Sequence, residues 1–209
     1  MAKLNPALDV RGLPTREQFF SRLRRRRPSN ADDLDRELEA RCVRELTVMM
    51  CDSSGFSRKT HDYGILQFLA VMTRCYDKLV PVVARHGGYT IAHGADNLLA
   101  VFPDPAHGVD AAAAMQRWLA AHNEGKHDRE QFNLCIGLHH GKILRLKDDI
   151  YGDKVNVAAK IGEDLASKDE ILVTGEAERL LPSRLKRRYA RSVALGGKDF
   201  ELYQVRWKK

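Results

Sequence analysis

Long apolar runs are scarce in this sequence. The longest apolar stretch, near Leu66–Met72, is far shorter than the roughly 20 residues that a membrane-spanning helix needs. The opening segment MAKLNPALDV lacks the basic part followed by an apolar part that is typical of a secretory signal peptide. We therefore expect a cytoplasmic protein that does not bind a membrane.

Cysteine is also scarce, with four residues and no CxxC pair. Cys42, Cys51, Cys75 and Cys135 lie mostly inside apolar segments, which is typical of buried thiols in a reducing compartment. This pattern argues against a disulfide scaffold and against a zinc site built on spaced cysteines.

Aromatic residues are few, at 7%, while Lys and Arg exceed Asp and Glu and give a formal net charge of +7. Such a charge attracts polyanions, including nucleic acids and nucleoside triphosphates. The two basic clusters, at 22–27 and 184–191, do not show the regular alternation with aromatic residues that single-stranded nucleic acid favours. We expect no stable nucleic-acid partner.

The first 43 residues differ from the rest of the chain. Thr15 followed by Gln18 predicts the N-cap of one helix, and a second helix is predicted over 32–43. The second helix has alternating charges and lacks a continuous apolar stripe. We therefore expect residues 1–43 to be a helical leader without a core of its own, and residues 44–209 to form the main domain.

Strand and helix patterns alternate along the main domain in the order β-α-β-β-α-β-β-α-β, with further strands at the C-terminal end. Glu45–Cys51 is the predicted central strand. Phe132–Leu138 and Lys142–Leu146 are predicted to pair as a hairpin around His139-His140-Gly141. This order predicts an α+β fold, with a mainly antiparallel sheet and helices packed on one face.

Two carboxylates in the main domain are candidate metal ligands. Asp52 directly follows the central strand and opens the short loop 53–57, which is rich in Ser and Gly, and Asp96 lies in the tip of the next hairpin. If these elements pair, both acids project at one sheet edge, which suits two divalent ions and a polyphosphate. A single Asp after a strand is more often a turn or cap residue.

A series of short motifs gives these acids a context. In chain order they are Val48-Met49-Met50-Cys51-Asp52-Ser53-Ser54-Gly55-Phe56-Ser57, His86-Gly87-Gly88 with Asp96 eight residues later, Leu99-Ala100-Val101-Phe102, Cys135-Ile136-Gly137-Leu138-His139-His140-Gly141-Lys142, Asp149-Ile150-Tyr151-Gly152-Asp153-Lys154-Val155-Asn156-Val157-Ala158-Ala159-Lys160 and Glu170-Ile171-Leu172-Val173-Thr174. The series resembles the class III nucleotidyl cyclases, that is, the adenylyl and guanylyl cyclase catalytic domain. The resemblance assigns residues 44–209 to that domain and implies a ferredoxin-like cyclase fold.

The resemblance implies two-metal chemistry on a nucleoside triphosphate. Asp52 and Asp96 would hold two Mg²⁺ or Mn²⁺ ions, with the Ser53 carbonyl as a further ligand. The ribose 3′-oxygen would then attack the α-phosphorus and yield a 3′,5′-cyclic nucleotide and pyrophosphate. The expected activity is therefore that of a phosphorus–oxygen lyase.

Further positions match the family's substrate contacts. The amides of Ser54, Gly55 and Phe56 would cradle the β- and γ-phosphates, and Lys142 falls where some members carry an arginine that reaches the triphosphate. Asn156 aligns with the asparagine that orients the ribose. In this family the metals come from one subunit and the base and transition-state residues from its partner, so the resemblance implies a homodimer with shared sites.

Two positions depart from the family pattern, and one key position keeps it. Lys160 stands where the family usually has an arginine that stabilises charge on the α-phosphate, and it lacks the planar fork of that arginine. Ala92 stands where adenylyl cyclases carry a lysine that donates to adenine. Asp149 keeps the position that accepts from the adenine amine.

These positions therefore do not decide which nucleotide the protein cyclises. An ionised carboxylate only accepts hydrogen bonds, and each of the four bases offers it a donor. Stand-alone members of the family with an altered purine pocket include the bacterial pyrimidine cyclases, whose products, cyclic CMP or cyclic UMP, act in antiphage signalling, and the architecture of this chain resembles theirs. The alternatives are an adenylate cyclase and a non-catalytic homologue that regulates a true cyclase. Lys198, in a predicted hairpin turn, is interpreted as a turn residue rather than a phosphate ligand.

Overall fold

An eight-stranded sheet forms the centre of the molecule. The computed structural model describes residues 5–94 and 96–208 of the chain. The strands are β1 (Val43–Ser53), β2 (Tyr89–Gly94), β3 (Asn97–Phe102), β4 (Leu134–Arg145), β5 (Ile150–Tyr151), β6 (Ile171–Thr174), β7 (Arg187–Leu195) and β8 (Lys198–Val205). The α-helices are α1 (Arg16–Leu23), α2 (Ala31–Cys42), α3 (Phe56–Tyr63), α4 (Ile65–Arg85), α5 (Pro105–Asn123), α6 (Asp153–Lys160) and α7 (Gly175–Glu178). Within these described residues, none of the helices is long and apolar enough to cross a membrane.

The sheet is mainly antiparallel. Its strands lie in the order β2-β3-β1-β4-β6-β8-β7, and β5 pairs with β4. Among the described strands, β4 and β6 are the parallel pair, and the other neighbours run antiparallel. The predicted α+β fold is thus confirmed. The order places β1 between β3 and β4, and the buried run Leu46–Cys51 fits that central position.

Helices cover both faces of the sheet. Met49 and Cys51 of β1 lie in a core that includes residues of α4 and α5. Leu46 and Val48 point the other way, into a cluster that includes Ala158 of α6. The expectation that the helices pack on one face was therefore wrong. By the same alternation, Asp52 projects on the face that α6 covers, which we call the α6 face.

The strand β4 is continuous, where the sequence predicted a hairpin. Gly141 pairs with Leu46 of β1, and the register runs unbroken along the whole pairing. The ring of His139 is buried, and its Nδ1 is hydrogen-bonded to Thr174 Oγ1 at 2.7 Å. The predicted turn at 139–141 was wrong because pairing with a long partner strand outweighs the local turn signal of one glycine.

Two glycines bring the segment after α6 directly onto the sheet. A Cβ atom on Gly137 would lie 2.4 Å from Gly162 N, and one on Gly162 would lie 2.7 Å from Met50 O. Neither position has room for a side chain, so the backbones touch. The sequence does not reveal this crossing. The helix α6 ends at Lys160, and a π-helical turn, Ile161–Leu165, follows it.

The N-terminal segment packs against the main sheet. Phe19, Leu38 and Cys42 are buried together with Leu146, which follows β4. Leu8 is buried in the cluster on the α6 face. The helices α1 and α2 thus bury their few apolar residues partly against the β4–β5 turn of the main domain.

Candidate active site

The two candidate metal ligands meet at one end of the sheet. Asp52 is the last but one residue of β1 and pairs with Asn97 at the start of β3. The Ser53 N–H donates to the main-chain oxygen of Asp96 at 3.0 Å, and the Tyr76 hydroxyl donates to the same oxygen at 2.9 Å. The main-chain contacts therefore place Asp96 beside the end of β1, as the hairpin pattern predicted.

The surroundings of Asp52 are strongly acidic. Burial and the charge of Asp96 raise the pKa of Asp52 to about 6, and Glu163 and Asp164 of the π-helical turn add to this effect. Burial and the neighbouring Asp164 likewise raise the pKa of Glu163. A group of carboxylates that disfavour one another's ionisation is stabilised by a cation.

The donor set fits Mg²⁺ or Mn²⁺. Asp52, Asp96 and the Ser53 carbonyl offer oxygen atoms, and hard divalent cations prefer oxygen. The Ser53 Oγ is buried without a hydrogen-bond partner among the described residues. In that same part of the chain, no three Asp, Glu, His or Cys side chains form a complete metal cage. Two carboxylates suffice for Mg²⁺, because it usually completes its shell with substrate phosphates and water.

One of the three amides predicted to cradle the phosphates is already hydrogen-bonded within the protein. The Ser54 N–H donates to Asn133 O at 2.9 Å, so this amide is already used. Gly55 is the N-cap of α3 with φ +83°, and within the described residues no side chain caps that helix. The first N–H groups of a helix carry partial positive charge and bind phosphate well. The cradle prediction therefore narrows to the amides of Gly55 and Phe56.

A buried lysine, which the sequence did not single out, fixes the position of α3. Lys59 Nζ donates to Asp128 O at 2.7 Å and to Gln131 O at 2.6 Å. Arg58 binds the Asp128 carboxylate and lowers its pKa to about 2. The Arg58-Lys59 pair directly after the loop 53–57 is the signal that the sequence analysis missed. These contacts tie the first turn of α3 to the segment 128–131.

A groove of about 310 Å³ brings other predicted residues together. Asn156 and Lys160 line it from α6, and Lys198 and Phe200 line it from the β7–β8 hairpin. The Lys160 ammonium is ion-paired with Asp164, and this hydrogen bond raises the pKa of Lys160. Lys198 is the first residue of β8, directly after the Gly196-Gly197 turn in which it was predicted to lie, and it lines the groove.

The Asp149 carboxylate accepts two hydrogen bonds and has one cationic neighbour. Its Oδ1 accepts from the Ile150 N–H at 2.8 Å, and its Oδ2 accepts from the Tyr151 hydroxyl at 2.6 Å. Arg16 Nε of α1 lies 3.9 Å from the same Oδ2. This carboxylate is therefore oriented before any ligand arrives.

Ala92, which was predicted to lie at the base-reading position, and its neighbour His93 face opposite sides of the sheet. Ala92 pairs with Leu99, so both face the α6 side, and Ala92 is exposed there. His93 is on the opposite face, with its ring 6.4 Å from the ring of Tyr76. His93 therefore does not share the face of Ala92.

The structure does not bring Lys142 to the metal-binding end of its own chain. Lys142 pairs with Glu45, near the start of β1. Asp52 lies seven residues farther along that strand, or about 23 Å away at about 3.3 Å per residue. Lys142 therefore cannot reach a triphosphate bound at Asp52 of the same chain.

A sequence model described as the adenylate and guanylate cyclase catalytic domain matches residues 38–206. Serine/threonine-protein kinase pkn2 of Myxococcus xanthus is 35% identical over 144 residues, and putative adenylate cyclase 3 of Rhizobium meliloti (strain 1021) is 30% identical over 127 residues. The matches cover 66% and 61% of this chain, but only 16% and 22% of those two proteins. The chain thus spans less than a quarter of either relative.

Solved cyclase structures share the fold. The guanylyl cyclase Cya2 aligns with a TM-score of 0.70 at 19% identity, over 78% of this chain and 92% of that one. The adenylyl cyclase CyaB from P. aeruginosa aligns with a TM-score of 0.69 at 19% identity, over 78% of this chain and 94% of that one. Because a guanylyl and an adenylyl enzyme align equally well, the shared fold does not distinguish between bases.

Proposed function

Because the chain belongs to the adenylate and guanylate cyclase catalytic domain family, we propose that it converts a nucleoside triphosphate into a 3′,5′-cyclic nucleotide and pyrophosphate. The ribose 3′-oxygen bonds to the α-phosphorus, the bond from that phosphorus to the bridging oxygen breaks, and the hydroxyl proton passes to solvent. The observation that carries this proposal is the meeting of Asp52 and Asp96 beside the uncapped start of α3.

In this proposal the acids at the end of β1 bind divalent cations. Bound Mg²⁺ or Mn²⁺ lowers the pKa of the 3′-hydroxyl and neutralises the triphosphate. Asp52 and Asp96 supply carboxylate oxygens, and Ser53 supplies its carbonyl. The amides of Gly55 and Phe56 then face the β- and γ-phosphates with the positive end of α3.

The remaining groups act from a second copy of the chain. The groove that holds Asn156 and Lys160 is lined by α6 and the β7–β8 hairpin, and neither Asp52 nor Asp96 is among its described lining residues. A homodimer joins this groove of one chain to the metal ligands of its partner. Asn156 then orients the ribose, and Lys160 leaves Asp164 to neutralise charge on the α-phosphate.

The base is proposed to be a pyrimidine. Ala92 is exposed on the α6 face and donates nothing, and His93 points away, so an adenine ring lacks a side-chain donor at N1. An unpaired polar atom in a closed site costs about 1–3 kcal/mol, or about tenfold or more in affinity. A smaller ring can sit closer to Asp149 and donate its amine or N3–H, giving cyclic CMP or cyclic UMP.

One assay tests both the reaction and the base. Purified protein is incubated with Mn²⁺ and each of ATP, GTP, CTP and UTP, and cyclic products are identified by mass. Asp52→Asn serves as the inactive control, and Asp77→Asn, an exposed acid of α4, as the matched active one. Dominant cyclic AMP refutes the pyrimidine proposal, and absence of every cyclic product refutes catalysis.

Two further points go with this proposal. A non-catalytic role is favoured by one observation, the ion pair that holds Lys160 on its own chain, and the same assay decides it. A role in antiphage signalling is supported only by the resemblance to the pyrimidine cyclases. Its test is accumulation of the cyclic nucleotide in infected cells.

A further inference from the structure

The N-terminal segment is hydrogen-bonded to the turn between β4 and β5. The Lys147 N–H donates to Pro14 O at 2.9 Å. The Arg16 N–H donates to Asp148 Oδ1 at 2.8 Å. The helix α1 starts at this point with a capping box, in which Thr15 and Gln18 satisfy each other's backbone. The residues that make these hydrogen bonds therefore lie at the capped start of a helix.

The same helix reaches the carboxylate of Asp149. Arg16 Nε lies 3.9 Å from Asp149 Oδ2, and the Tyr151 hydroxyl donates to that oxygen at 2.6 Å. The Tyr151 ring packs edge-on against Phe20 of α1, with 5.7 Å between ring centroids. The helix thus contacts Asp149 directly through one residue and indirectly through another.

These contacts leave the carboxylate able to bind a base. Each carboxylate oxygen accepts about two hydrogen bonds. Ile150 uses one position on Oδ1 and Tyr151 one on Oδ2, so each oxygen keeps a position for a donor from a ligand. Holding the side chain in one rotamer removes an ordering cost that the base would otherwise meet.

We propose that Tyr151 and Arg16 are positioning residues for Asp149, so that the docked helix α1 sets how tightly the enzyme holds its base. The assignment of Asp149 as the residue that binds the base rests on the function proposed above. The positioning itself rests only on the contacts of the 146–151 turn. Undocking of α1 would loosen base binding without touching the metal ligands.

The test compares three variants. Tyr151→Phe removes only the hydroxyl and keeps the ring against Phe20. Arg16→Gln removes the charge, and Arg16→Lys restores it. Arg22→Gln is the matched control, because Arg22 is also in α1 but pairs with Glu37 of α2 instead of the 146–151 turn.

The kinetic readout separates positioning from simple loss of structure. Tyr151→Phe is expected to raise KM for the preferred nucleotide about tenfold, with kcat nearly unchanged. A change of this size corresponds to the loss of one hydrogen bond to a charged group. Arg16→Gln is expected to raise KM about twofold to threefold, since its side chain is 67% exposed, and Arg16→Lys to restore it. An equal rise in Arg22→Gln, or a fall in kcat alone, overturns the proposal.

A second readout is independent of cyclisation. The Ile150 amide donates to the Asp149 carboxylate, so its hydrogen–deuterium exchange reports whether that side chain is held. Faster exchange at Ile150 in Tyr151→Phe, but not in Arg22→Gln, supports the positioning role even if the wild-type protein cyclises nothing. Unchanged exchange in Tyr151→Phe and Arg16→Gln overturns the positioning role, whatever the wild-type activity.

Discussion

The acids in the two halves of the candidate site have opposite surroundings. Asp52 is half-buried beside Asp96, with Glu163 and Asp164 nearby, and its pKa is raised to about 6. Asp149 accepts hydrogen bonds from Ile150 and Tyr151 and lies near Arg16. The first carboxylate has negative charge that its own chain does not neutralise, whereas the second is already paired and oriented. The contrast fits the roles proposed above, a cation ligand for Asp52 and a hydrogen-bond acceptor that reads the base for Asp149.

The largest effect is expected from removing the charge of Asp52, in the metal-binding half of the candidate site. Asp52→Asn should lower turnover by at least about a hundredfold, because a neutral amide holds Mg²⁺ poorly. Product formation with Mn²⁺ measures this, and Asp77→Asn should keep full activity. Near-normal turnover of the purified variant would show that another group holds the metal.

The second-largest effect is expected from adding a hydrogen-bond donor to the base-binding half of the candidate site. Ala92→Lys, on the α6 face, should raise kcat/KM for ATP relative to CTP and UTP about tenfold, since adenine N1 gains a partner. His93→Lys is the matched control, because that side chain points to α4 and should leave the ratio unchanged. Equal shifts in both variants would mean that added positive charge, not position, matters.

A smaller effect concerns the cation on α6. Lys160→Arg should raise kcat about threefold to tenfold, because a planar guanidinium matches phosphate oxygens better than an ammonium. The KM should change less than kcat if the contact forms mainly in the transition state. Lys168→Arg, an exposed position outside α6, provides the comparison. A lower kcat in Lys160→Arg would indicate that the site is shaped for lysine.

The smallest effect is on the stability of the metal-free protein. The folded pKa of Asp52 is about 6 and the ordinary value is 3.8, so between these values the folded protein holds a proton that the unfolded chain releases. The wild type should therefore lose stability relative to Asp52→Asn as the pH rises from about 4 to 6. At pH 7 the variant should melt about 2–4 °C higher, the equivalent of about 1 kcal/mol after allowance for partial exposure. Thermal melts with a chelator present measure this, and saturating Mn²⁺ should favour the wild type.

The sequence predicted the first half of the site better than the second. Asp52 and Asp96 meet because a central strand pairs with the next hairpin, and both signals are local. The cationic neighbour of Asp149 is Arg16, whose main-chain N–H donates to Asp148, 132 positions away in the sequence. No periodicity predicts that approach, since it depends on how α1 docks.

The missed features of the fold have the same cause. The local pattern at Gly141 favours a turn, but pairing with β1 keeps β4 straight. The β7–β8 turn was predicted, but not that it delivers Lys198 to the groove beside Lys160. In each case a contact between distant parts of the chain decides what a short segment does.

The backbone contact at Gly137 and Gly162 has a mechanical consequence. Gly162, in the turn that follows α6, lies directly on Met50, two residues before Asp52, so α6 and the end of β1 have little room to shift independently. In the proposed homodimer, α6 serves one site while Asp52 of the same chain serves the other. We therefore expect a nucleotide that displaces α6 at one site to strain the metal ligands of the other site, so that occupancy of one site affects the other.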